Sequence, residues 1–414
     1  MQPFPRDPSF DSTLALRREG YLFGLNRFRS LDTDFFEMRL LLQRAICLYG
    51  EEAATLFYDT ERFVRVGAMP LRAQRSLLGV GGVQSLDADA HRQRKAMFLR
   101  LLTGEARVRL WREAASQWAA CLRRWSDTGH AVVLDDTQVL LTKAVCAWAG
   151  VPLDERDAGR RARHFGAMID GAGGVGPRYW RARWGRLVTE AWIAGLIRDV
   201  RKGRLAVAEH LPLPVVAWHR EPDGKLLDPR TAAVELINTL RPTVAIARYV
   251  AFCALVLHEH PEWAPRLGED EAMQAFVDEV RRYYPFFPMV AARTCKAFAW
   301  RGHRFDRGVR VLLDLYATNH DPRIWSRPDE FDPERFLGRE PSAFAFVPQG
   351  GGRHEVHHRC PGEWMTTDMM KLALQMLTTR MAYTVPAQDL RVSLARMPAL
   401  PASRVVLAGV EPLR

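Results

Sequence analysis

The feature that most constrains the fold is one long helical segment, from about Asp228 to His258, that is apolar nearly all round. Helices with this pattern are buried on every side, so the segment predicts the central helix of a large core. Its most apolar stretch, Val244 to Leu257, contains Arg248 and is shorter than the roughly 20 residues that cross a bilayer. We therefore expect a soluble protein with no membrane span.

The rest of the chain is also mainly helical in pattern. Apolar residues recur at three- and four-residue spacing through most of Asp87–Leu257, and a further helix is expected at Glu51–Tyr58. Short strands are predicted at residues 39–43, 45–49, 298–300, 309–313 and 404–407. The chain shows no repeat and no linker, which predicts one domain over residues 1–414, mainly α with small β-sheets, and argues against a doubly wound sheet.

Charge and cysteine content exclude several classes of protein. The net charge of +11 is spread along the whole sequence, whereas a nucleic-acid binder usually concentrates its charge on one element. The six cysteines form no CxxC pair, so neither a zinc ribbon nor a disulfide scaffold is expected. The diffuse charge therefore predicts no nucleic-acid partner. Reduced thiols and the absence of a signal-peptide pattern at the N-terminus predict a cytoplasmic location.

The dipeptide Arg241-Pro242 interrupts the long helix. Proline removes a backbone donor and clashes with the carbonyl four residues back, so a kink is expected here. A solvated arginine is the ordinary reading, but the neighbours of Arg241 are apolar, which predicts a buried guanidinium in need of an anion. Either a protein carboxylate or a ligand carboxylate would serve. For Arg248 the sequence suggests only a structural ion pair.

A cysteine loop precedes the next clear helical stripe, which runs from Met365 to Leu377. Cys360 is expected at the helix N-terminus, with Pro361 at the first helical position and Glu363 in the first turn. The helix dipole and free amides would stabilise a thiolate there, and Gly362 would let a flat cofactor approach the backbone. The alternative is one more buried thiol.

The same loop contains two misleading patterns. His354-Glu355-Val356-His357-His358 satisfies the letters of the zinc-hydrolase motif HExxH, but three glycines before it and Cys-Pro after it make the required regular helix improbable. A zinc hydrolase is retained as an alternative from a different class. The run Gly350–Gly352 is not followed by Gly-Lys-Ser/Thr, so no phosphate loop is expected.

Four motifs in this order resemble the cytochrome P450 superfamily, and more closely its fatty-acid peroxygenase branch. They are the kinked Leu240–Thr243, the pair Glu279 and Arg282 in ExxR spacing, Pro333–Phe336 with its Arg335, and the long loop that ends at Cys360. Taken alone, the ExxR pair could be a surface ion pair. Ordinary members carry an acid–alcohol pair where this chain has Arg241-Pro242, as the peroxygenases do.

The resemblance implies a single-domain P450 fold with heme b, whose iron has Cys360 as its axial ligand. Contacts to the heme propionates are implied for Arg65, His91, Lys95 and His358. Arg241, Pro242 and Gln84 are implied at the catalytic centre, and the substrate pocket would also include Leu78, Ala172 and Val290.

The implied reaction is hydroxylation of a long-chain fatty acid by hydrogen peroxide at the α- or β-carbon, without an obligatory redox partner. The substrate carboxylate, bound by Arg241, would act as the general acid–base that the chain lacks. Glutamine at position 84 is associated in the family with hydroxylation, and decarboxylation to a terminal alkene is a possible side reaction. The alternative is a conventional P450 monooxygenase that needs NAD(P)H and redox partners.

Overall fold

The structure, a computed structural model, describes residues 1–413. Within them lie fifteen α-helices: α1 (Thr13–Glu19), α2 (Leu22–Ser30), α3 (Glu51–Phe57), α4 (Leu71–Ala73), α5 (Ala88–Leu102), α6 (Glu105–Thr128), α7 (Val133–Ala149), α8 (Glu155–Asp170), α9 (Pro177–Arg201), α10 (Pro212–Ala217), α11 (Pro229–Ala245), α12 (Ala247–Glu259), α13 (Asp270–Tyr283), α14 (Leu315–Asn319) and α15 (Glu363–Gln375).

The described residues also form ten short strands: β1 (Phe35–Leu40), β2 (Gln43–Leu48), β3 (Phe63–Val64), β4 (His130–Val132), β5 (Met289–Thr294), β6 (Phe298–Trp300), β7 (His303–Phe305), β8 (Arg310–Asp314), β9 (Met381–Thr384) and β10 (Val406–Pro412). The largest sheet has the order β1-β2-β8-β5-β3, and smaller sheets have the orders β4-β10-β9 and β6-β7. Only β2 and β8 pair in parallel among these strands. The predicted mainly α fold with small sheets is confirmed.

Two predicted strands are wrong in their bounds. The strand predicted at 404–407 begins only at Val406, because Arg404 and Val405 have φ angles of 66° and 60°. The run 39–43 crosses the tight turn between β1 and β2, where Leu41 and Leu42 have φ angles of 51° and 61°. This left-handed backbone is unusual for leucine. It is held from α1 and the residues before it, since the Leu41 amide donates to Thr13 Oγ1 at 2.7 Å and the Leu42 amide to Asp11 Oδ2 at 2.6 Å. Contacts distant in sequence therefore set this turn.

The long apolar segment is the central helix, as predicted, and consists of α11 and α12. Helical geometry continues through Pro242 and breaks at Ile246, four residues later than expected. Hydroxyl groups support the turns around the proline, because Thr239 Oγ1 donates to the Leu236 carbonyl at 2.7 Å and Thr243 Oγ1 to the Thr239 carbonyl at 3.0 Å. The helix therefore breaks one turn after Pro242, at Ile246.

The length of the central helix does not by itself exclude a membrane span. Helix Pro229–Glu259, taken as one, has 31 residues and is long and apolar enough to cross a bilayer, but 94% of its most apolar window is buried inside the fold. A lipid-facing helix would expose that surface. Burial, not length, identifies it as a core helix.

The ExxR pair lies in a buried charged network, and the surface-pair alternative is wrong. Glu279 and Arg282 are both 0% exposed and form two hydrogen bonds of 2.7 Å. Arg335 Nε donates to the same carboxylate at 3.2 Å, and the amide of Asp332 donates to it at 2.9 Å. This network fastens α13 to the segment around Pro333–Phe336, which leads towards the cysteine loop.

Candidate active site

Cys360 lies just before α15, where the predicted helix start needs correction. The helix begins at Glu363 with Gly362 as its N-cap, so Pro361 is not the first helical residue. The Cys360 amide donates to the Gln349 carbonyl at 3.0 Å, which closes the loop. Burial raises the pKa of the Cys360 thiol, while the Gly362 amide, Lys95 and Arg281 act to lower it. A thiolate here gains from the amide and the cations but needs a further positive partner, as a metal ion provides.

Charged contacts hold the cysteine loop rigid from both sides. Glu363 accepts from Arg281, from Arg359 Nε at 2.6 Å and from His354 Nε2 at 3.0 Å. Arg281, the strongest lowering influence, holds the pKa of the Glu363 carboxyl well below its usual range in spite of burial. From α5, Lys95 Nζ donates to the carbonyls of His357, at 3.1 Å, and Arg359.

The zinc-hydrolase reading is wrong for this loop. Residues 354–358 form turns, not a helix, so the two histidines do not share a helical face. His354 is used by Glu363, and His357 Nδ1 accepts from the Arg353 amide at 2.8 Å. Among residues 1–413, no group of three or more His, Cys, Asp or Glu side chains could hold a metal ion. The motif letters arise by coincidence.

The three glycines of the loop have packing roles. At Gly352, where φ is +80°, an added Cβ would lie 2.1 Å from His357 Nδ1, and at Gly351 it would lie 2.9 Å from the Ala343 carbonyl oxygen. Gly350 has a φ of +91°, and a Cβ added there would lie 3.0 Å from Tyr58 Oη. The run allows the loop to fold on itself beside Tyr58, so the expectation of no phosphate loop agrees with the geometry.

A cluster of buried basic side chains lies next to the loop. His91 stacks on His358 with ring centroids 3.9 Å apart, and Arg65 lies 4.2 Å over the ring of Phe57. Burial lowers the pKa of Arg65 to about 10, of His91 to about 4 and of Lys95 to about 8. Such shifts report charges that lack enough anions around them.

One acid touches this cluster. Asp87 accepts from the Arg65 amide at 2.8 Å, and its carboxylate lies 3.9 Å from His358 Nε2. Arg65 has a single, long side-chain hydrogen bond of 3.4 Å to the Ala291 carbonyl within residues 1–413. The cations next to a thiol-bearing loop therefore suit a cofactor that brings its own carboxylates and a metal for the thiol.

Arg241 is buried without an anion. The side chain is 4% exposed, its Nε has no hydrogen-bond partner, and it forms no ion pair with any carboxylate of residues 1–413. Burial, with a contribution from the nearby Arg186, lowers the pKa of Arg241 to about 9. The nearby carboxylate of Glu190 does not compensate Arg241, because it is paired with Arg186 at 2.6 Å. Of the two anions the sequence allowed, a protein carboxylate is excluded within the described chain.

Arg248 has the opposite environment. It is 1% exposed, and its Nη2 donates to Asp170 at 3.1 Å while its Nη1 donates to the Ala399 carbonyl at 3.1 Å. The structural ion pair suggested by the sequence is confirmed. Arg241 on α11 and Arg248 on α12 are therefore both buried, but only Arg248 has a carboxylate partner within residues 1–413.

A polar chain missed by sequence reasoning leads to Gln84. Asn238 Nδ2 donates to Gln84 Oε1 at 3.3 Å and to Glu235 Oε2 at 3.1 Å, and Glu235 pairs with Arg94 Nη1 at 2.5 Å. Arg94 also pairs with Glu221 near the surface. The available signal was Glu235 itself, a lone acid in an apolar helix, which requires a buried cation.

Known proteins are similar to this chain in both sequence and fold. The family model for cytochrome P450 matches residues 269–403. Cytochrome P450EX alpha (CYP152N1), solved with myristic acid, is 42% identical with a TM-score of 0.96, over 100% of both chains. This chain belongs to the cytochrome P450 superfamily.

Two further P450 structures agree. Cytochrome P450SP alpha (CYP152B1) in complex with (R)-ibuprophen is 44% identical, with a TM-score of 0.94 over 97% of this chain and 99% of that one. Ligand-free cytochrome P450 OleT is 32% identical, with a TM-score of 0.96 over 99% of each. These full-length matches confirm the branch predicted from the motifs, the fatty-acid peroxygenases.

Curated P450 sequences match a shorter part. Putative cytochrome P450 137 of Mycobacterium tuberculosis (strain CDC 1551 / Oshkosh) is 31% identical over 190 residues, which are 42% of this chain and 38% of that protein. The matched part thus spans well under half of the curated relative. The enzyme class is nevertheless clear from the full-length structural matches: this is an oxidoreductase with heme b as its cofactor.

The predicted residues of this P450 fall into separate groups. Arg65, His91, Lys95 and His358 cluster beside the Cys360 loop, and Gln84 joins α11 through Asn238. Leu78, Ala172 and Val290 are each half-buried, on the Gln74–Leu78 turn, after α8 and in β5 respectively. No contact tests their place in a substrate pocket, which stays a prediction.

Proposed function

We propose that this P450 uses hydrogen peroxide to hydroxylate long-chain fatty acids at the α- or β-carbon. The observation that carries the proposal is the buried Arg241 guanidinium, which lacks a carboxylate partner among residues 1–413. A fatty-acid carboxylate would complete it through bidentate hydrogen bonds. The relative P450EX alpha was solved with myristic acid, which supports a long-chain fatty acid as ligand.

Residues beside the cysteine loop would hold the heme. Cys360 would be the axial ligand, and Arg65, His91, Lys95 and His358 would contact the two propionates. The buried, under-compensated charges of Arg65 and Lys95 support this role, because anions in such a site restore the free energy lost by desolvation. The bound heme-thiolate iron supplies cleavage of the peroxide O–O bond and transfer of oxygen to carbon.

Arg241 would position the acid that the chain itself does not provide. Residues 240–243 read Leu-Arg-Pro-Thr, without the acid–alcohol pair of monooxygenases. The single acid on α11, Glu235, is already hydrogen-bonded to Arg94 and Asn238. The substrate carboxylate bound to Arg241 would therefore accept the peroxide proton and return it. Pro242 contributes by withholding an N–H from the Asn238 carbonyl, which shapes the turn that presents Arg241.

Anchoring the carboxylate also sets the reaction position. Carbons next to the bound carboxylate are nearest the reacting centre, which gives 2- or 3-hydroxy acids, with decarboxylation to a terminal alkene as a side reaction. Gln84, held by Asn238 at 3.3 Å, would lie near this end of the substrate. Leu78, Ala172 and Val290 would contact the acyl chain farther along.

Turnover with myristic acid and hydrogen peroxide alone, compared with turnover through NAD(P)H and a reductase, tests the proposal. We expect product with peroxide alone, no requirement for a redox partner, and loss of product in Arg241→Ala with the heme retained. Product that appears only with the reductase would establish the alternative, a conventional monooxygenase. The free cysteines among residues 1–413 suit the reducing cytoplasm, where we place the enzyme.

A further inference from the structure

The outward face of the first half of α9 carries large apolar side chains. Trp180 and Trp184 are 67% and 65% exposed, and Leu187, 39% exposed, follows on the same side. Residues at three- and four-residue spacing line one face of a helix. Single exposed leucines are ordinary, but two neighbouring exposed indoles form a patch that usually marks an interaction site.

The apolar face continues onto the segment that packs beside it. The guanidinium of Arg72 lies 4.1 Å over the ring of Tyr179 and donates to the Gly174 carbonyl at 3.4 Å, while Arg183 donates to the Arg75 carbonyl at 3.4 Å. These contacts join α4 and the turn after it to α9. We define the α9 patch as the exposed residues Leu71, Val175, Trp180, Trp184 and Leu187.

Arginines surround this patch. Arg72, Arg75, Arg181 and Arg183 border it, and within residues 1–413 none of them forms an ion pair with a carboxylate. The nearby Arg178 differs, since it pairs with Asp170 at 3.3 Å. The surface therefore combines exposed indoles with uncompensated positive charge.

The patch adjoins the predicted route of the acyl chain. Leu78 ends the turn that continues from α4, and Ala172 lies two residues before Gly174, to which Arg72 is bonded. Both were predicted to contact the acyl chain, so this step rests on the proposed function. A fatty acid that reached the patch would be next to the segments expected to receive it.

We propose that the α9 patch docks on an anionic lipid surface, from which the fatty-acid substrate enters. Tryptophan prefers the boundary between headgroups and acyl chains, and arginines near an anionic surface each add to the attraction. A second copy of the chain fits less well, because a two-fold contact would place the four arginines against their own equivalents. Lipid headgroups supply the missing negative charge.

Flotation of the heme-loaded chain with vesicles tests the docking. We expect binding to phosphatidylglycerol–phosphatidylcholine vesicles and weak binding to phosphatidylcholine alone. The double variant Trp180→Ser/Trp184→Ser should weaken partitioning by at least about tenfold, and Arg75→Gln or Arg181→Gln by about fivefold each. Trp218→Ser removes an indole that is 49% exposed outside the patch and should leave binding unchanged.

Three outcomes would overturn the docking proposal. They are absence of binding to anionic vesicles, equal binding of the double variant and the wild type, and a solution dimer that the double variant dissociates. Activity gives a separate control: octanoic acid, which is dissolved as monomers, should be hydroxylated equally by both proteins. If neither octanoic acid nor myristic acid is turned over by the wild type, the proposed function fails while the flotation result still decides the docking.

Discussion

Replacing Arg241 with methionine tests whether the buried guanidinium charge serves to bind a ligand and not to stabilise the fold. In the structure, the guanidinium is buried without a carboxylate among residues 1–413. Methionine has a similar length and needs no partner. An unpaired buried charge costs folding free energy, so its removal should not destabilise the protein, although it should abolish binding of the fatty acid.

The pKa of Arg241 sets the size of the effect. Burial lowers it from 12.5 to about 9, which corresponds to an upper bound of about 4–5 kcal/mol against the charged form. For 414 residues, the unfolding entropy is about 0.9 kcal/mol/K, so 1 kcal/mol moves Tm by about 1 °C. We expect the Tm of substrate-free Arg241→Met to equal that of the wild type or exceed it by up to about 5 °C.

Arg248→Met is the matched control on the same helix. Arg248 is equally buried but paired with Asp170 at 3.1 Å, so its loss leaves buried polar groups without a donor. The expected cost is about 3 kcal/mol, or a fall in Tm of about 3 °C. Fatty-acid binding should survive in this variant.

Calorimetry with and without myristic acid measures both effects. At 100 times Kd, the ligand should stabilise the wild type and Arg248→Met by about 2.7 kcal/mol, a rise in Tm of about 3 °C. Arg241→Met should show no rise. The reasoning is refuted if Arg241→Met loses several degrees as Arg248→Met does, or if it retains the ligand-induced rise.

Three further predictions concern the frame of the site. Glu279→Gln should lower the unfolding free energy, measured by denaturant titration, by about 3–5 kcal/mol, because it breaks a fully buried ion pair. The control Glu334→Gln, in the exposed ion pair with Arg266, should change the unfolding free energy by less than about 1 kcal/mol. Burial raises the pKa of Asp314 from 3.8 to about 7, so the folded chain binds more protons than the unfolded one between these pH values. The protein should therefore lose up to about 4 kcal/mol of stability as pH rises from 4 to 7. Asp314→Asn should remove this dependence of stability on pH, and an unchanged dependence would contradict the prediction. Cys360→Ala should lose the red-shifted absorbance of the carbon-monoxide complex, and a persistent band would disprove the ligand assignment.

The sequence predicted, for local reasons, the two residues on which the proposed chemistry depends. Arg241 stands out because a charge and a proline interrupt an apolar helix. Cys360 stands out because glycines, a proline and a helical stripe surround it. Both signals lie within a few residues, where the physics of helices and turns applies directly. What the sequence could not supply was the absence of a carboxylate around Arg241, which depends on distant elements.

Local sequence patterns predicted the structure less well where contacts between residues distant in sequence determine it. The helix after Cys360 starts at Glu363, because that side chain is tied to Arg281 in α13. The link from Arg94 to Glu235 joins positions 141 residues apart. Likewise, the helical spacing of apolar residues does not show that Trp180 and Trp184 in α9 face outward. Periodicity gives the faces of a helix but not which one meets solvent.

The central claim is that the substrate carboxylate, held by Arg241, supplies the acid–base function. Hydroxylation of myristic acid and of its methyl ester, each with hydrogen peroxide alone, tests this most directly by product analysis. The ester has the same chain but neither pairs with the guanidinium nor accepts the peroxide proton. We predict 2- or 3-hydroxy products from the acid and none from the ester, and comparable hydroxylation of the ester would contradict the claim.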